Sequence, residues 1–391
     1  MEGWGYMKIL FIEWDSFGKE DIKEAFYMEG HELILFPVSM EEDLDDAPEL
    51  EGRLSAVLHQ ETPAIVFSIN YFPAISNTCN REGIRYISWV YDAPYVRLYS
   101  QTVLNPCNCV YVFDRELCME FRNAGVETVC YLPLAVNTER LDAMSIPADT
   151  PDFQYDVSFV GSFYVEKNDY YDQMVSVLPD FAKGYLDAII AAQMKIQGYD
   201  FIEDVLGPVI NDLYKAFPLD PDPRGMESRE YLYAQYVVDR RITTLERIDL
   251  LNAVAKRHNI DVFTYIKDFT MPNMRNHGRV DYFNEMPLVF RQSRINLNIS
   301  RRGIKSGIPL RAFDIMGSGG FLLSNFQADF LDFFVPGEDF MYYESKEDFL
   351  EKIDYFLFHE EERQVIAKNG HDKVAAKHTY RHRVREMLSA L

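Results

Sequence analysis

The stretch GIPLRAFDIMGSGGFLLSN, residues 307–325, carries the clearest structural signal in the chain. A helix is predicted over residues 309–317, because proline suits the first helical turn, where its missing N–H costs no hydrogen bond. Closely spaced glycines follow and mark a tight turn into the apolar strand 321–324. Within the helix, Arg311 and Asp314 share one face, since residues three apart are neighbours on a helix surface. The stretch therefore predicts a helix with one polar face, followed by a strand.

Apolar, β-rich runs recur on both sides of this stretch and alternate with helix-like segments. The runs are apolar continuously rather than at every second position, which is typical of strands in a parallel sheet covered on both faces. The predicted fold class is α/β, built from Rossmann-like doubly wound sheets. The predicted strands are residues 8–14, 32–38, 64–70, 86–90, 109–113, 128–136, 155–161, 260–266, 295–300, 321–324 and 340–345.

The length of 391 residues suits two domains rather than one. We expect residues 1–141 to form an N-terminal Rossmann-like domain and residues 142–154, which have prolines and no periodicity, to form a linker. Residues 155–377 are predicted to form the second Rossmann-like domain, and residues 378–391 a terminal helix. Residues 163–257 are too long for an ordinary crossover and indicate a helical insertion. Two such domains would face a cleft at the carboxyl ends of their strands.

The composition argues against several classes of partner. The formal net charge is −23, with 39 Lys and Arg against 62 Asp and Glu, whereas binding to a nucleic-acid backbone requires clustered positive charge. The five cysteines fit neither a disulfide framework nor a zinc site. The N-terminal sequence resembles neither a signal peptide nor a transmembrane helix. We therefore expect a cytoplasmic protein with reduced thiols, no metal and no nucleic-acid partner.

A basic segment near the C-terminus departs from the acidic composition. The favoured interpretation is a solvated helix face, and docking to a membrane or a partner is the less favoured alternative. The segment contains Lys368, Lys373, Lys377, Arg381, Arg383 and Arg385.

A second basic cluster follows the predicted strand 295–300. Arg301, Arg302 and Lys305 lie at the carboxyl end of that strand, just before the helix 309–317. The N-terminus of a helix offers free N–H groups and a partial positive charge to an anion. The pattern favours a phosphate-bearing ligand, although helical spacing alone would also fit an Arg–Asp pair on a solvent face.

Residues 295–325 resemble the donor-binding segment of GT-B glycosyltransferases, and among them the CgeB-like group, named after a spore-maturation protein. The resemblance places Asp314 at the acidic position that holds the ribose hydroxyls of the nucleotide. Ser306, followed by Gly307, stands where the broader retaining families carry the glutamate that contacts the donor sugar. Arg311 shares the polar face of this helix with Asp314, and we expect that face to look into the cleft, so Arg311 is a further candidate for the donor site.

Three further stretches resemble GT-B motifs in the same order along the chain. Residues 133–141 resemble the motif that closes the first domain. Residues 159–168 resemble the segment that opens the second domain, where Gly161 and Lys167 match the glycine and lysine that approach the phosphates. Residues 378–388 resemble the terminal helix that crosses back toward the first domain.

The resemblance implies a glycosyltransferase that moves a sugar from a nucleotide sugar to a glycan, protein or lipid-linked acceptor. UDP and GDP donors are not distinguished, and no cofactor or metal is implied. Such a transfer needs cations that stabilise the diphosphate leaving group, and Arg302, Lys305 and Lys167 are the candidates. The transfer is expected to retain the anomeric configuration.

On the acceptor side, Asp15, Asp92 and Asn70 follow predicted strands of the first domain. An inverting transfer would require a base such as one of these aspartates, although Asp is also common in turns. Phosphate-loop and dinucleotide-binding glycine motifs are missing from the sequence, which argues against an NTPase or a dehydrogenase. A sugar-nucleotide epimerase of the same architecture and a non-catalytic two-domain ligand-binding protein remain as alternatives.

Overall fold

The computed structural model describes residues 5–42, 44–45, 47–146, 151–165 and 169–391, and the chain divides into two compact units. Unit 1 comprises Met1–Asn137, Asp222–Glu227 and Lys377–Leu391, and unit 2 comprises Thr138–Pro221 and Ser228–Ala376.

Unit 1 is a six-stranded, all-parallel sheet with the strand order β2-β1-β3-β4-β5-β6. Its elements are β1 (Lys8–Glu13), α1 (Lys19–Met28), β2 (Glu32–Pro37), α2 (Pro48–Glu61), β3 (Ile65–Ile69), α3 (Pro73–Glu82), β4 (Arg85–Val90), 3₁₀ turns at Val96–Tyr99 and Gln101–Leu104, β5 (Asn108–Val112), α4 (Arg115–Asn123) and β6 (Val129–Tyr131). The C-terminal helix, here α17 (Tyr380–Ser389), completes this unit.

Unit 2 is a second six-stranded parallel sheet with the order β12-β11-β10-β7-β8-β9. Its elements are α5 (Thr138–Ala143), β7 (Tyr155–Val160), α6 (Tyr170–Val177), α7 (Asp180–Gln193), α8 (Ile202–Val205), α9 (Ile210–Ala216), α10 (Arg229–Tyr233), a π-helical segment (Ala234–Val238), α11 (Asp239–Ala255), β8 (Ile260–Phe263), β9 (Met274–Asn276), α12 (Met286–Arg291), β10 (Ser293–Asn298), α13 (Leu310–Gly317), β11 (Leu322–Asn325), α14 (Phe330–Phe333), β12 (Met341–Tyr343), α15 (Lys346–Phe358) and α16 (Glu360–Lys377). The two parallel sheets with their helices confirm the predicted α/β fold class.

The strand order places a topological switch point in unit 2. The chain runs from β7 outward to β8 and β9, and then returns to the other side of β7 to form β10. In open α/β sheets, ligands bind outside the carboxyl ends of the strands where the order reverses. We therefore expect a ligand site at the segments that follow β7 and β10.

The observed strands differ from the predicted strands in two places, and each difference has a physical cause. The predicted strand 128–136 is reduced to β6, because Pro133 follows closely and has no N–H for the ladder. The edge strand β9 was not predicted, since its three residues are half-buried or exposed and form no apolar run.

The helices between β7 and β8 have a hydrophobic core of their own. Met174, Leu186, Ile202, Leu213 and Val238 are fully buried in it. A separate cluster covers the β-sheet of unit 2, with Val157, Ile260, Ile295 and Leu323 at its centre. The residues predicted as a helical insertion thus form a packed helical layer with its own core.

Helix α17 is attached to α1 by ion pairs. Both Arg381 and Arg385 donate hydrogen bonds to the carboxylate of Glu29, at 2.9 Å from Arg381 Nε and 2.6 Å from Arg385 Nε. Burial alone would raise the pKa of Glu29, but the hydrogen bonds from Arg385 and Arg381 lower it below the ordinary glutamate value. Arg383 is buried and donates to the carbonyl oxygen of Pro133 at 2.8 Å, which fixes the other face of the helix.

We expect Glu29→Gln to destabilise unit 1 by about 1 kcal/mol, the upper range for partly exposed ion pairs. Because the folded-state pKa of Glu29 is lowered, this stabilisation is present at neutral pH and is lost as the pH falls through the folded pKa. Urea unfolding at pH 7 and at pH 3 measures both effects. Glu41→Gln, on an exposed loop, is the control, and equal unfolding midpoints for the two variants at pH 7 would contradict the assignment.

Candidate functional site

A buried arginine of α11 joins the two segments at the switch point of unit 2. Arg247 Nη1 donates to the carbonyl oxygen of Ser162 at 2.5 Å, and its Nε and Nη2 donate to the carbonyl oxygen of Ile299 at 3.1 and 2.6 Å. Ser162 follows β7 and Ile299 follows β10. One guanidinium therefore fixes both segments and leaves its positive charge at the carboxyl edge of the sheet.

Three arginines surround the ring of Tyr164, which follows β7. The guanidinium carbons of Arg240, Arg247 and Arg301 lie 5.4, 5.1 and 5.7 Å from the ring centroid. Burial by itself would raise the pKa of Tyr164, but the positive charges of Arg247 and Arg301 lower it below the ordinary tyrosine value. The three guanidinium groups therefore give this edge of the sheet a positive local charge.

The backbone at Tyr164 is also unusual, since its φ of 53° lies in the left-handed region that non-glycine residues rarely adopt. Its N–H donates to the hydroxyl of Ser162 at 2.9 Å. Strained backbone of this kind is found most often at ligand sites.

Arg301 is held by the π-helical segment. Its Nη2 donates to the carbonyl oxygen of Gln235 at 2.9 Å, and its Nε is buried without a hydrogen-bond partner. Neither Arg301 nor Arg247 forms an ion pair with any carboxylate in the described part of the chain. Two cations without a direct carboxylate partner therefore lie together at this edge, where the charge of Arg301 also acts on the buried carboxylate of Asp239.

Arg302 is placed differently from the expectation that it contacts phosphate. Its Nε donates to Glu246 at 2.8 Å, its Nη2 contacts the other oxygen of Glu246, and its Nη1 donates to the carbonyl oxygen of Ile196 at 2.8 Å. Both side chains of the pair are 9% exposed. All three guanidinium nitrogens are occupied and the charge is neutralised, so the geometry makes Arg302 a positioning residue that fixes the segment after β10.

Most of the other predicted donor-site residues lie near the same edge. Lys305 lines a small cavity of about 20 Å³ together with Arg301, Arg302 and Asp200, which is room for about one water molecule. Ser306 and Gly307 are buried just beyond it. At Gly161, a Cβ atom would lie 3.0 Å from the ring of Phe159. Lys167 lies outside the described residues.

The acidic residue of α13 is buried rather than exposed to solvent. Asp314 is 5% exposed, its Oδ1 accepts from the hydroxyl of Tyr282 at 3.1 Å, and its Oδ2 lies 3.5 Å from Arg311 Nη1. Arg311 also contacts the sulfur of Met286 and lies over the ring of Phe290. The Arg311–Asp314 face predicted from helical spacing is thus packed toward α12, and the solvent-face interpretation does not hold.

The predicted residues of unit 1 separate into one pair and one isolated side chain. The amide of Asn70 donates to Asp92 at 2.7 Å, and its carbonyl oxygen accepts from the N–H of Tyr91 at 2.8 Å. Asn70 and Asp92 therefore lie together after β3 and β4. Asp15 projects fully into solvent and pairs with Lys19, at 3.4 Å.

Sequence reasoning missed three of the residues that create this site. Tyr164, Arg240 and Arg247 lie inside or beside the predicted helical insertion, where each fits an ordinary amphipathic helix or a loop. The one available signal was the run RRITTLER, which places arginines within two turns of a helix that leads back to the sheet.

The C-terminal part of the chain, residues 240–389, matches the family described as glycosyl transferase-like. This segment contains Arg240, Arg247, Arg301 and Asp314. No curated protein sequence is similar enough to the chain to count as a match.

Solved structures resemble the whole chain. A glycosyltransferase from Rickettsia africae matches with 11% identity and a TM-score of 0.54 over 99% of this chain and 98% of its own. HepE from Anabaena, in complex with UDP and glucose, matches with 10% identity and a TM-score of 0.57 over 98% and 100%. The sucrose-phosphate synthase of Thermosynechococcus elongatus matches with 11% identity and a TM-score of 0.53 over 98% and 100%. The chain has the GT-B fold. The matched family and this fold together support a glycosyltransferase enzyme.

Three further observations concern membrane-spanning helices, metal sites and cysteines. Among the described residues, no helix is long and apolar enough to span a bilayer. Within those same ranges, no group of three or more His, Cys, Asp or Glu side chains is placed to hold a metal ion. The five cysteines are free thiols, and Cys79 and Cys118 are buried.

We expect Glu246→Leu to destabilise unit 2 by about 3 kcal/mol, because it leaves the charge of Arg302 buried without its partner. The double variant Glu246→Leu/Arg302→Met removes both charges and is expected to recover more than half of the loss. Urea unfolding of both variants measures the difference. A double variant that is less stable than Glu246→Leu would contradict the positioning role of Arg302.

Proposed function

We propose that the protein transfers a sugar from a nucleotide-sugar donor to an acceptor, and that the donor diphosphate binds at the carboxyl edge of the unit 2 sheet. The observation that carries the proposal is the cation cluster at the switch point. Arg247 and Arg301 lie beside Tyr164, are held by backbone carbonyls, and have no carboxylate at ion-pair distance among the described residues. A buried positive charge is costly unless an anion accompanies it, and a diphosphate supplies that anion.

The chemistry follows from the same charges. When the bond between the anomeric carbon and the diphosphate breaks, negative charge grows on the leaving oxygen. Fixed cations placed beforehand stabilise that charge without reorganising, which is how an enzyme favours the transition state over the bound donor. Arg301 is the residue best placed for this role, because its Nε has no partner and its Nη2 is anchored to Gln235. Lys305, beside Arg301, is the second candidate.

The nucleoside is proposed to bind through α13. Asp314 has a carboxylate oxygen shared with the hydroxyl of Tyr282, and a carboxylate accepts hydrogen bonds from two neighbouring ribose hydroxyls. We take UDP as the first nucleotide to test, because HepE, which shares the fold, was solved with UDP, with UDP-glucose, and with UDP and glucose. Membership of the CgeB-like group and a retaining, metal-independent transfer are part of the proposal and rest on residues 295–325.

A panel of nucleotide sugars tests the function directly. The protein is incubated with UDP-, GDP-, ADP- and CDP-linked sugars, and the release of nucleoside diphosphate is measured with and without candidate acceptors. Release that rises when an acceptor is added supports transfer. An interconverted sugar still attached to its nucleotide would instead identify an epimerase, and tight binding without turnover would identify a ligand-binding protein.

Asp314→Asn and Arg301→Met are expected to affect the donor in different ways. Loss of a charged hydrogen bond to the ribose should weaken UDP binding by about tenfold to a hundredfold in Asp314→Asn. Arg301→Met should lower kcat by about a hundredfold or more and change KM less, because its charge acts mainly on the leaving group. Titration calorimetry and steady-state kinetics measure the two effects.

The controls for these variants are Asp187→Asn and Arg257→Met, which remove the same groups from exposed positions on α7 and after α11. Controls that lose as much binding or turnover as the site variants would remove the assignment of the donor site.

Asp92→Asn distinguishes retention from inversion. A retaining transfer needs no base from unit 1, so turnover is expected to fall by less than about tenfold. A general base typically contributes a factor of about 100 to 10,000, and a loss in that range would show that Asp92 deprotonates the acceptor. The anomeric configuration of the product, read by NMR, provides the independent check.

A further inference from the structure

A fully buried carboxylate lies beside the cation cluster of unit 2. Asp239, the first residue of α11, is 0% exposed, and among the described residues neither of its carboxylate oxygens has a hydrogen-bond partner. An ionised carboxylate that is buried and accepts no hydrogen bond is costly, so such a group tends to keep its proton. The protonation state of Asp239 is therefore set by the charges around it.

The helical turns around Asp239 are bonded to the segment after β10 on both sides. Four residues before Asp239, the carbonyl oxygen of Gln235 accepts from Arg301 Nη2 at 2.9 Å. Four residues after it, the hydroxyl of Thr243 donates to the carbonyl oxygen of Asp239 at 2.7 Å and accepts from the N–H of Arg302 at 3.1 Å. These bonds hold Asp239 next to the two arginines at the carboxyl edge of the sheet.

A second aspartate meets Asp239 from the segment before α8. Asp200 lies within hydrogen-bonding reach of Asp239. Its Oδ1 accepts from the N–H of Ile202 at 3.0 Å, and its Oδ2 is buried and has no partner in the described part of the chain. Two carboxyl groups this close repel each other when both are ionised, so the pair holds its last proton to an unusually high pH. The proton belongs on Asp239, because Asp200 has an N–H donor that favours its charged form.

The groups that face Asp239 act on it in opposite directions. Burial and the neighbouring Asp200 raise the pKa of Asp239 well above the ordinary aspartate value, whereas the charges of Arg301 and Arg302 lower it. The charge of Arg302 is balanced by Glu246. Arg301 is thus the cation that most favours the ionised form of Asp239.

The same arginine is the proposed contact of the donor diphosphate. The Nε of Arg301 is buried with no partner among the residues described, and Arg301, Asp200 and Lys305 line one small cavity. An anion that binds at Arg301 adds negative potential at the two carboxyl groups, which favours their protonated form. The anion and the proton therefore strengthen each other's binding by the same factor.

We propose that Asp239 competes with the donor diphosphate for the charge of Arg301, and that the donor binds to the form of the protein in which Asp239 carries a proton. This inference rests on the proposed function, since it concerns the same donor site. Asp239 is a positioning residue, because it acts on the donor through Arg301. The proton comes from solvent, forms the O–H of the Asp239 carboxyl, and returns to solvent when the donor leaves.

The pH dependence of UDP-glucose binding to the full chain tests the proposal. UDP-glucose is the probe because its diphosphate is esterified at both ends, and so lacks the ionisation at about pH 6 of a terminal phosphate. Titration calorimetry between pH 6 and pH 8.5, in buffers with different enthalpies of ionisation, measures both the affinity and the protons taken up. As Asp239 ionises, the affinity is expected to fall by up to about tenfold per pH unit, and binding is expected to take up protons.

Asp239→Asn keeps the shape of the protonated acid and cannot ionise. This variant should match the unchanged protein at pH 6, exchange no protons, and bind UDP-glucose more tightly than the unchanged protein at pH 8.5, by about tenfold. A purely structural role of Asp239 would give no such gain. Asp187→Asn, at an exposed position on α7, is the control and should keep the pH dependence. In Asp200→Asn the repulsion is removed, so the fall in affinity should move to lower pH.

Infrared spectroscopy of the protein alone measures the proton independently of any nucleotide. A carboxylic acid carbonyl band is expected at pH 6 and should be missing in Asp239→Asn, and no such difference would overturn the protonated form of Asp239. Tyr164 is the other group beside Arg301 whose pKa is lowered toward this range. A pH dependence that is retained in Asp239→Asn would assign the linkage to Tyr164 and overturn the proposal.

The remaining outcomes separate this inference from the proposed function. UDP-glucose binding that does not change with pH would overturn the linkage and leave the donor site standing. If UDP-glucose does not bind at any pH while the infrared band is present, the UDP donor site is wrong, and the linkage is overturned with it.

Discussion

Arg247 joins the segments after β7 and β10 through three hydrogen bonds to backbone carbonyls, and the rest of the candidate site is arranged around it. Carbonyl dipoles hold the guanidinium without cancelling its charge. The result is a rigid backbone edge with a positive field, at the point where the order of the strands reverses. Tyr164, Arg240 and Arg301 all lie within that field, so replacing Arg247 would disturb both the shape and the charge of the site.

Adjacent arginines can serve opposite purposes, as Arg301 and Arg302 do. Arg302 has a buried carboxylate partner, Glu246, which fixes the position of its segment. Arg301 is anchored by the carbonyl oxygen of Gln235, in a π-helical turn that interrupts the regular helix between α10 and α11. Such turns are frequent at functional sites. Whether each arginine is neutralised depends on residues more than fifty positions earlier in the sequence.

The α/β class and most of the strands could be predicted from the sequence. Continuous apolar runs that alternate with helical segments are typical of strands in a parallel sheet. Asp314 and the cluster after β10 could be located in the same way, since they lie in or beside a predicted strand and a predicted helix. The sequence does not show which charged side chains form ion pairs. Glu246 contacts Arg302 only after the helical layer has folded onto the sheet. Arg240 and Arg247, which lie beside Tyr164, were missed for the same reason.

The backbone changes unit four times, after Asn137, Pro221, Glu227 and Ala376. One of the separate segments of unit 1 is only six residues long, Asp222–Glu227. In this segment the N–H of Met226 donates to the carbonyl oxygen of Tyr99 at 2.8 Å, and the N–H of Gln101 donates to the carbonyl oxygen of Arg224 at 3.2 Å. Neither half is therefore a contiguous piece of polypeptide. An N-terminal fragment that ends at the predicted linker, residues 142–154, would lack both α17 and the short segment Asp222–Glu227. Evolutionary exchange of either unit between proteins would therefore require these two distant pieces of chain to move as well.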